Sequence, residues 1–338
     1  MTNLRIRGIN YDAGVRYSRD FHSRPCWRLD DVRRDFIAIR EQLGCNAVGI
    51  MASDNQRLIE AGEIAASLGL SAWLQPRRFE ASGREVAANL QQLAGAAETL
   101  RLRGHQICLN VGCELTLSSK GMVPGGSFYR RGLLLPKMLW LKPYWDRKLN
   151  SLLRKLTETA RAHFGGPLTY GAGDWETVDW TMFDYIGLDT YLAAYNRDVY
   201  AEQIRQRVGR GKPVVITEFG CCAYQGAADL GPNGFEVLDY RSNPPSIRAG
   251  TVRDEQVQAD YLAASLDAFE SAGAAGAFAF AFSEPMLPHT SDPLTDADMA
   301  SFGIVKVTQP ASEHASEQWA PKAAFSMLAK RYQSDPPT

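Results

Sequence analysis

The sequence predicts a (β/α)8 barrel, on three observations. Eight short strand-like runs recur along 338 residues. Helical periods or short helical turns separate them, and the unusually long connections fall only after strands, never before them. A doubly wound open sheet is the competing architecture. It usually carries a glycine-rich phosphate turn after its first strand, and here that turn reads NYDAGVRYS, without G-x-G-x-x-G.

The elements follow in order. LRIRGINYD at 4–12 reads as the first strand, and Asp30 is placed to cap a helix carrying Val32, Phe36, Ile39 and Leu43 on one face. NAVGIM (46–51) and SAWLQPRRF (71–79) are strands two and three, each leading into a helix: 55–68, then the face Val86, Leu90, Leu93, Ala97 and Leu100. QICLNVGCELT (106–116) is strand four. PLTYGAG (167–173), DYIGLDTYL (184–192), PVVITEFGC (213–221) and AAGAFAFAF (274–282) are strands five to eight, and a last helix runs from about Pro321 to Tyr332. The joins entering strands are tight and glycine-bearing, at Gly44, Gly69, Gly104, Gly209, Gly211 and Gly273. Those after strands four, seven and eight span about 117–144, 222–253 and 283–319, beyond the usual loop length. Residues 1–338 are expected to form one domain, with a frayed tail from about 333.

Composition narrows the partners. Thirty-seven basic against 38 acidic residues leave no basic footprint for a nucleic acid. No apolar run has the length of a membrane span, and no membrane partner is expected. The opening MTNLRIRGINYDAG has no apolar core of the secretory kind. Six scattered cysteines read as thiols of a reducing compartment, so a cytoplasmic location is expected. Cys108, Cys113, Cys221 and Cys222 cluster near strands four and seven but match no CxxC spacing, and buried small hydrophobes are the favoured reading. GMVPGGSFYRRG (121–132) lacks the order of a phosphate loop and reads as a lid. SDPLTDADM (291–299) reads as a solvated loop, with sugar contact through Asp296 or Asp298 the lesser alternative.

In a barrel the chemistry gathers at strand C-termini. There the sequence places Asp12, Arg77, Asn110, Glu114, Trp175, Asp189, Tyr191, Glu218 and Glu284. Glu218 follows the β-formers of VVITE, and Glu114 ends the alternation ICLNVGCEL; strands four and seven face each other across a closed ring. Two carboxyls about 5–5.5 Å apart suit retaining glycoside hydrolysis, one as nucleophile and one as acid/base. The plainer alternative, that each glutamate only ends a strand at the surface, stands beside it.

PVVITEFG, NVGCELT, GCNAVGI and DYIGLDTY together resemble the strand-seven, strand-four, strand-two and strand-six regions of the clan A glycoside hydrolases, retaining enzymes on a (β/α)8 barrel. The resemblance covers strand order and short motifs over most of the chain and matches no specific family. It implies Glu218 as nucleophile, Glu114 as acid/base and Tyr191 as the hydroxyl partner of Glu218. Asp12, Arg77, Asn110, Trp175, Asp189 and Glu284 are the expected substrate-binding residues, with a small carbohydrate as ligand and no metal or organic cofactor. Two departures stand out. Cys113 occupies the position before the acid/base where that clan usually has Asn, and Phe280, Phe282 and Ser283 stand where strand eight usually ends in Trp. A non-catalytic carbohydrate-binding barrel, a lyase and a metal-dependent hydrolase are the alternatives.

Overall fold

In the computed structural model, which describes residues 3–209, 211–242 and 245–333, the first strand closes a ring with the last. The barrel strands are β1 (Ile6–Asp12), β2 (Ala47–Ala52), β3 (Ser71–Pro76), β4 (Ile107–Cys113), β5 (Leu168–Gly173), β6 (Ile186–Asp189), β7 (Val214–Phe219) and β8 (Gly276–Ala279). All pairings in the ring are parallel, and each strand lies beside its sequence neighbours, with β8 against β1. Around it run α1 (Leu29–Ile37), α2 (Asn55–Ser67), α3 (Gly83–Leu102), α4 (Lys142–Arg161), α5 (Tyr200–Val208), α6 (Glu255–Ala272) and α7 (Ala323–Tyr332). After β5 there is only the short 3-10 turn Trp180–Met182. Among the described residues no helix is long and apolar enough to cross a membrane.

The barrel floor is filled from inside. Ala47, Trp73, Cys108, Val215, Ala275 and Phe278 form a cluster of their own, with the Trp73 ring 5.0 Å from Phe278 and 5.1 Å from Tyr185. Glycine makes room for it: a Cβ at Gly8 would lie 2.3 Å from the Phe278 ring. The larger core lies between strands and helices, where Val86, Leu90, Leu93, Ala97 and Leu100 of α3 are buried as one stripe. Ser82 and Glu85 close a capping box at its start.

Several boundaries differ from the sequence expectation. Asp30 does not cap α1. It lies in the first turn with Asp31, where a carboxylate meets the positive end of the helix dipole, and Arg28 takes the cap position. The helix continues as a π-helical turn, Ala38–Gln42. Strand four stops at Cys113 instead of running to Thr116, because Glu114 turns left-handed (φ 46°) and opens the helical turn Leu115–Ser118. Strand six is four residues, so Tyr191 stands beyond its end. The long loops hold unexpected pieces: the ribbon Leu238–Asp239/Ser246–Ile247 after β7, and the ribbon Val305–Gln309/Gln318–Pro321 after β8. The tail expected to fray lies, beyond Gln333, outside the described residues.

Gly8→Ala should test how tightly the floor is packed. The added methyl has no space beside the Phe278 ring, and overpacking typically costs about 1–3 kcal/mol. A melting temperature lowered by several degrees in thermal unfolding is the expected outcome. An unchanged value would show that the ring yields freely.

Candidate active site

Irregularities in two strands shape the mouth. Val215 points into the barrel floor, so strict alternation would send Thr217 inward and Glu218 out toward the helices. The pairing of β6 with β7 slips between Leu188/Ile216 and Asp189/Glu218, and that of β8 with β7 slips between Ala277/Ile216 and Ala279/Phe219. The extra residue in β7 lets Thr217 and Glu218 both serve the mouth, as a bulge beside a functional site does. Strand four slips likewise against β5 between Asn110 and Cys113. Cys113 thereby turns toward β6, and Glu114 follows in its left-handed conformation.

Glu218 is held from two sides. The Tyr191 hydroxyl donates to its Oε1 at 2.6 Å, and the Arg77 guanidinium meets Oε2 at 2.5 Å. Arg77 is aimed by Gln75, whose Oε1 accepts from Arg77 Nε at 2.8 Å, and its guanidinium lies 5.9 Å from the Phe280 ring centre. All three of Glu218, Tyr191 and Arg77 are buried. Burial, then the charge of Glu218, pushes the Tyr191 hydroxyl well above the usual phenol range, which keeps it a donor. Glu114 is half-buried. Burial, then the charges of Glu218, Asp189 and Glu176, hold its carboxyl well above the usual carboxylate range.

Asp189 was expected to bind substrate, but its oxygens are engaged within the protein. Thr217 Oγ1 donates to Oδ1 at 2.6 Å and Cys113 Sγ to Oδ2 at 3.1 Å, and the carboxyl packs where a Cβ on Gly171 would stand. Burial, then the Glu218 charge, raises it to about 7. Cys113 Sγ and one oxygen each of Asp189 and Glu218 lie within 4.8 Å of one another. The Arg77 guanidinium already supplies positive charge there. Of the other cysteines, Cys108 belongs to the barrel floor, while Cys221 and Cys222 bond to backbone carbonyls in the core. The thiols expected as one cluster are therefore dispersed.

The remaining expected residues divide. Asp12 and Glu284 are brought to the mouth together with Tyr17, whose hydroxyl lies in the field of Asp12, Arg77, Glu284 and Glu218. Asp12 Oδ1 accepts from Gly14 N at 2.7 Å, and Glu284 Oε2 from Phe302 N at 2.6 Å. Burial raises Glu284 to about 7. Asn110 and Trp175 are turned to structural partners. The Asn110 oxygen accepts from the amides of Gly112 and Gly171 at 3.3 and 3.2 Å. Trp175 lies over Gly173 and donates to Thr116 Oγ1 at 2.9 Å. Asp296 and Asp298 hold Arg253 at 2.9 and 2.8 Å, and Asp298 also holds Lys322 at 2.9 Å, so both brace the loop after β8.

Tyr17 and Arg24 escaped the sequence reading, and Glu176, at the end of strand five, drew no role from it. Glu176 accepts from Thr116 Oγ1 at 2.6 Å and Tyr170 Oη at 2.8 Å, and burial raises it to about 7. Tyr17 carried no signal beyond its place in the loop after β1. Arg24, fully inside the protein, bonds Glu317 and Ser283, each at 2.8 Å, and the carbonyl of Asp12 at 2.7 Å. Its sequence neighbourhood FHSRPC gives no hint of an ion pair nearly 300 residues away.

Comparison with known proteins reaches the fold. A GH113 β-1,4-mannanase superposes with a TM-score of 0.61 at 16% identity, over 99% of this chain and 100% of that one. The chain has the fold of (β/α)8 glycosidases. A β-glucuronidase from an uncultured Clostridium sp. aligns with a TM-score of 0.54 at 14% identity, over 98% of this chain and 51% of its own. The β-glucuronidase of Parabacteroides merdae aligns with a TM-score of 0.56 at 12% identity, over 98% and 37%. The chain thus spans about half or less of these glucuronidases. No protein-family model and no curated protein sequence matches it.

The raised carboxyls carry a stability signature. Glu176 is buried and holds its proton to about pH 7, against an ordinary value near 4.5. The folded form binds that proton more tightly than the unfolded chain, so this contribution is complete below about pH 4.5 and is lost as the pH rises to about 7. Melting temperature should therefore fall from about pH 5 to 8, and Glu176→Gln should flatten the slope by the equivalent of about 3 kcal/mol. Thermal unfolding across that range checks it; an identical slope in both proteins would refute it.

Proposed function

We propose that the chain is a retaining glycoside hydrolase acting on a carbohydrate substrate, with Glu218 as nucleophile and Glu114 as acid/base. The observation that carries the reading is the unlike treatment of two carboxyls of one mouth. Glu218 receives a phenol hydroxyl and a guanidinium, two donors that fix both of its oxygens. Glu114 is pushed by burial and by that same carboxylate toward its protonated form. The glycosidase folds that align with the chain support the reading at the level of architecture.

In the first step the Glu218 carboxylate attacks the anomeric carbon while Glu114 gives its proton to the departing oxygen, leaving a glycosyl ester on Glu218 and an anionic Glu114. In the second, Glu114 takes a proton from water, the hydroxide oxygen bonds the anomeric carbon, and Glu218 leaves as carboxylate. Tyr191 and Arg77 hold Glu218 in place and receive its returning charge. Asp12 and Glu284, facing Tyr17, line the side where sugar hydroxyls would be bound. Neither metal nor organic cofactor enters this chemistry.

The test is a panel of aryl glycosides, including β-mannosides and β-glucuronides, with product anomers followed by NMR. On any substrate turned over, Glu218→Ala should lower kcat by at least about a thousandfold. Glu114→Ala should stall breakdown of the glycosyl ester, and added azide should restore turnover with formation of a glycosyl azide. Full activity in both variants, or a product of inverted configuration, would sink the assignment. Tyr191→Phe should cost about ten- to a hundredfold in kcat/KM, the value of one hydrogen bond to a charged group. An unchanged kcat/KM would remove Tyr191 from the mechanism.

A further inference from the structure

The loop from β4 to α4 is unlike the rest of the chain. No acidic residue occurs from 115 to 145, and residues 120–148 carry seven basic side chains against one acidic, in a chain whose total is 37 against 38. Two short helices, Phe128–Leu134 and Leu135–Leu141, lead directly into α4. Their inner side is anchored: Leu135 and Trp145 are buried in a cluster with Leu117 and Val123, and Met138 and Leu141 pack against it. Arg131 is buried in an ion pair with Glu80 at 2.7 Å. The outer side is apolar as well. Trp140 is 76% exposed, and Tyr129, Leu133, Leu139 and Tyr144 are each more than half exposed. Interleaved with them are Arg130, Lys137 and Arg147, also exposed, and no ion pair engages these three among the described residues.

We propose that this loop is a docking surface for an anionic lipid bilayer, the outer leucines and aromatics entering the interface and the surrounding cations meeting lipid phosphates. Two short helices with leucine, tryptophan and tyrosine on the outside and basic residues between them have the composition of an interfacial segment. The long lysine and arginine stems add apolar length while their charges stay at headgroup level. Charge decides against the other occupants. Lysine is depleted at protein–protein interfaces, yet Lys137 is exposed among these side chains and Lys148 lies over the Tyr144 ring. A neutral glycan would find stacking rings here but no use for cations or leucines. Such a surface needs no membrane-spanning helix. The proposal is independent of the catalytic reading.

The full-length protein is mixed with vesicles of phosphatidylcholine alone, or with roughly a third phosphatidylglycerol, and sedimented. Binding is expected to the anionic vesicles only and to be lost when salt is raised to about 0.5 M. A blue shift of tryptophan emission should accompany it and disappear in Trp140→Ala. Arg130→Glu/Lys137→Glu and Leu139→Ala/Trp140→Ala should each weaken binding by at least about tenfold, with melting temperatures unchanged because these side chains are exposed. No binding, equal binding to both vesicle types, or variants that bind like the parent would overturn it. So would self-association of the parent, abolished by Trp140→Ala and without vesicle binding, which would give the face to a second copy of the chain.

Discussion

The Arg77 guanidinium is the positive charge around which the barrel mouth is organised. Glu218, Asp189, Glu114, Asp12 and Glu284 converge there from five strand ends, and carboxylates brought together out of water are costly unless paired or neutralised. Arg77 pairs with one of them, Glu218, at 2.5 Å. Protonation relieves others: Asp189 and Glu284 keep their protons to about pH 7, and Glu114 is displaced the same way. The mouth can therefore assemble many acids without a matching set of bases. Its ionised pair, Glu218 with Arg77, is chosen by geometry. Gln75 aims the guanidinium at one carboxylate.

That geometry depends on backbone irregularity. A regular parallel strand offers alternate residues to the barrel interior, yet β7 places Thr217 against Asp189 and Glu218 against Arg77 and Tyr191. The register slips in β4 and β7 make this possible, one in each glutamate-bearing strand. Glu114 adds a left-handed backbone conformation that non-glycine residues adopt uncommonly. Strain of this kind persists where surrounding structure enforces it. Here the Glu114 amide bonds the Gly171 carbonyl at 2.9 Å, and the Leu115 amide bonds the Tyr170 hydroxyl at 2.7 Å.

The barrel was legible in the sequence because its signal is local and repeated: apolar runs of strand length, helical stripes such as that of α3, and long loops on one end only. The strand ends pointed to side chains that the fold does bring to one mouth, for the same reason. What those side chains touch was not legible. A bulge has no residue signature in VVITEFG or ICLNVGCE, so alternation alone misdirects Glu218. The partners of Asp189 are hidden by sequence order, since Thr217 and Cys113 come from β7 and β4. Glu176 stood beside Trp175 at a strand end without an assigned role, because nothing local shows that its carboxyl, inside the protein, laces the loops after β4 and β5 together. The 128–144 segment is harder to read, because helical periodicity is read for one apolar side and this segment has two.

Cys113 unites these points. In the clan that the sequence resembles, asparagine is usual at this position and serves the sugar. Here the thiol is buried and donates to Asp189 at 3.1 Å, while Asp189 in turn accepts from Thr217, the residue before Glu218. The chain of contacts runs from β4 through β6 to β7 and ends one residue from each glutamate. An asparagine amide would bring a stronger donor and an extra acceptor beside a carboxyl whose oxygens already have donors, leaving a buried polar atom to satisfy. A thiol is small and weakly polar and asks for little more than its one acceptor. The substitution thus fits a mouth in which both Asp189 oxygens already have donors. Residue 113 here serves the support of Asp189 between β4 and β7.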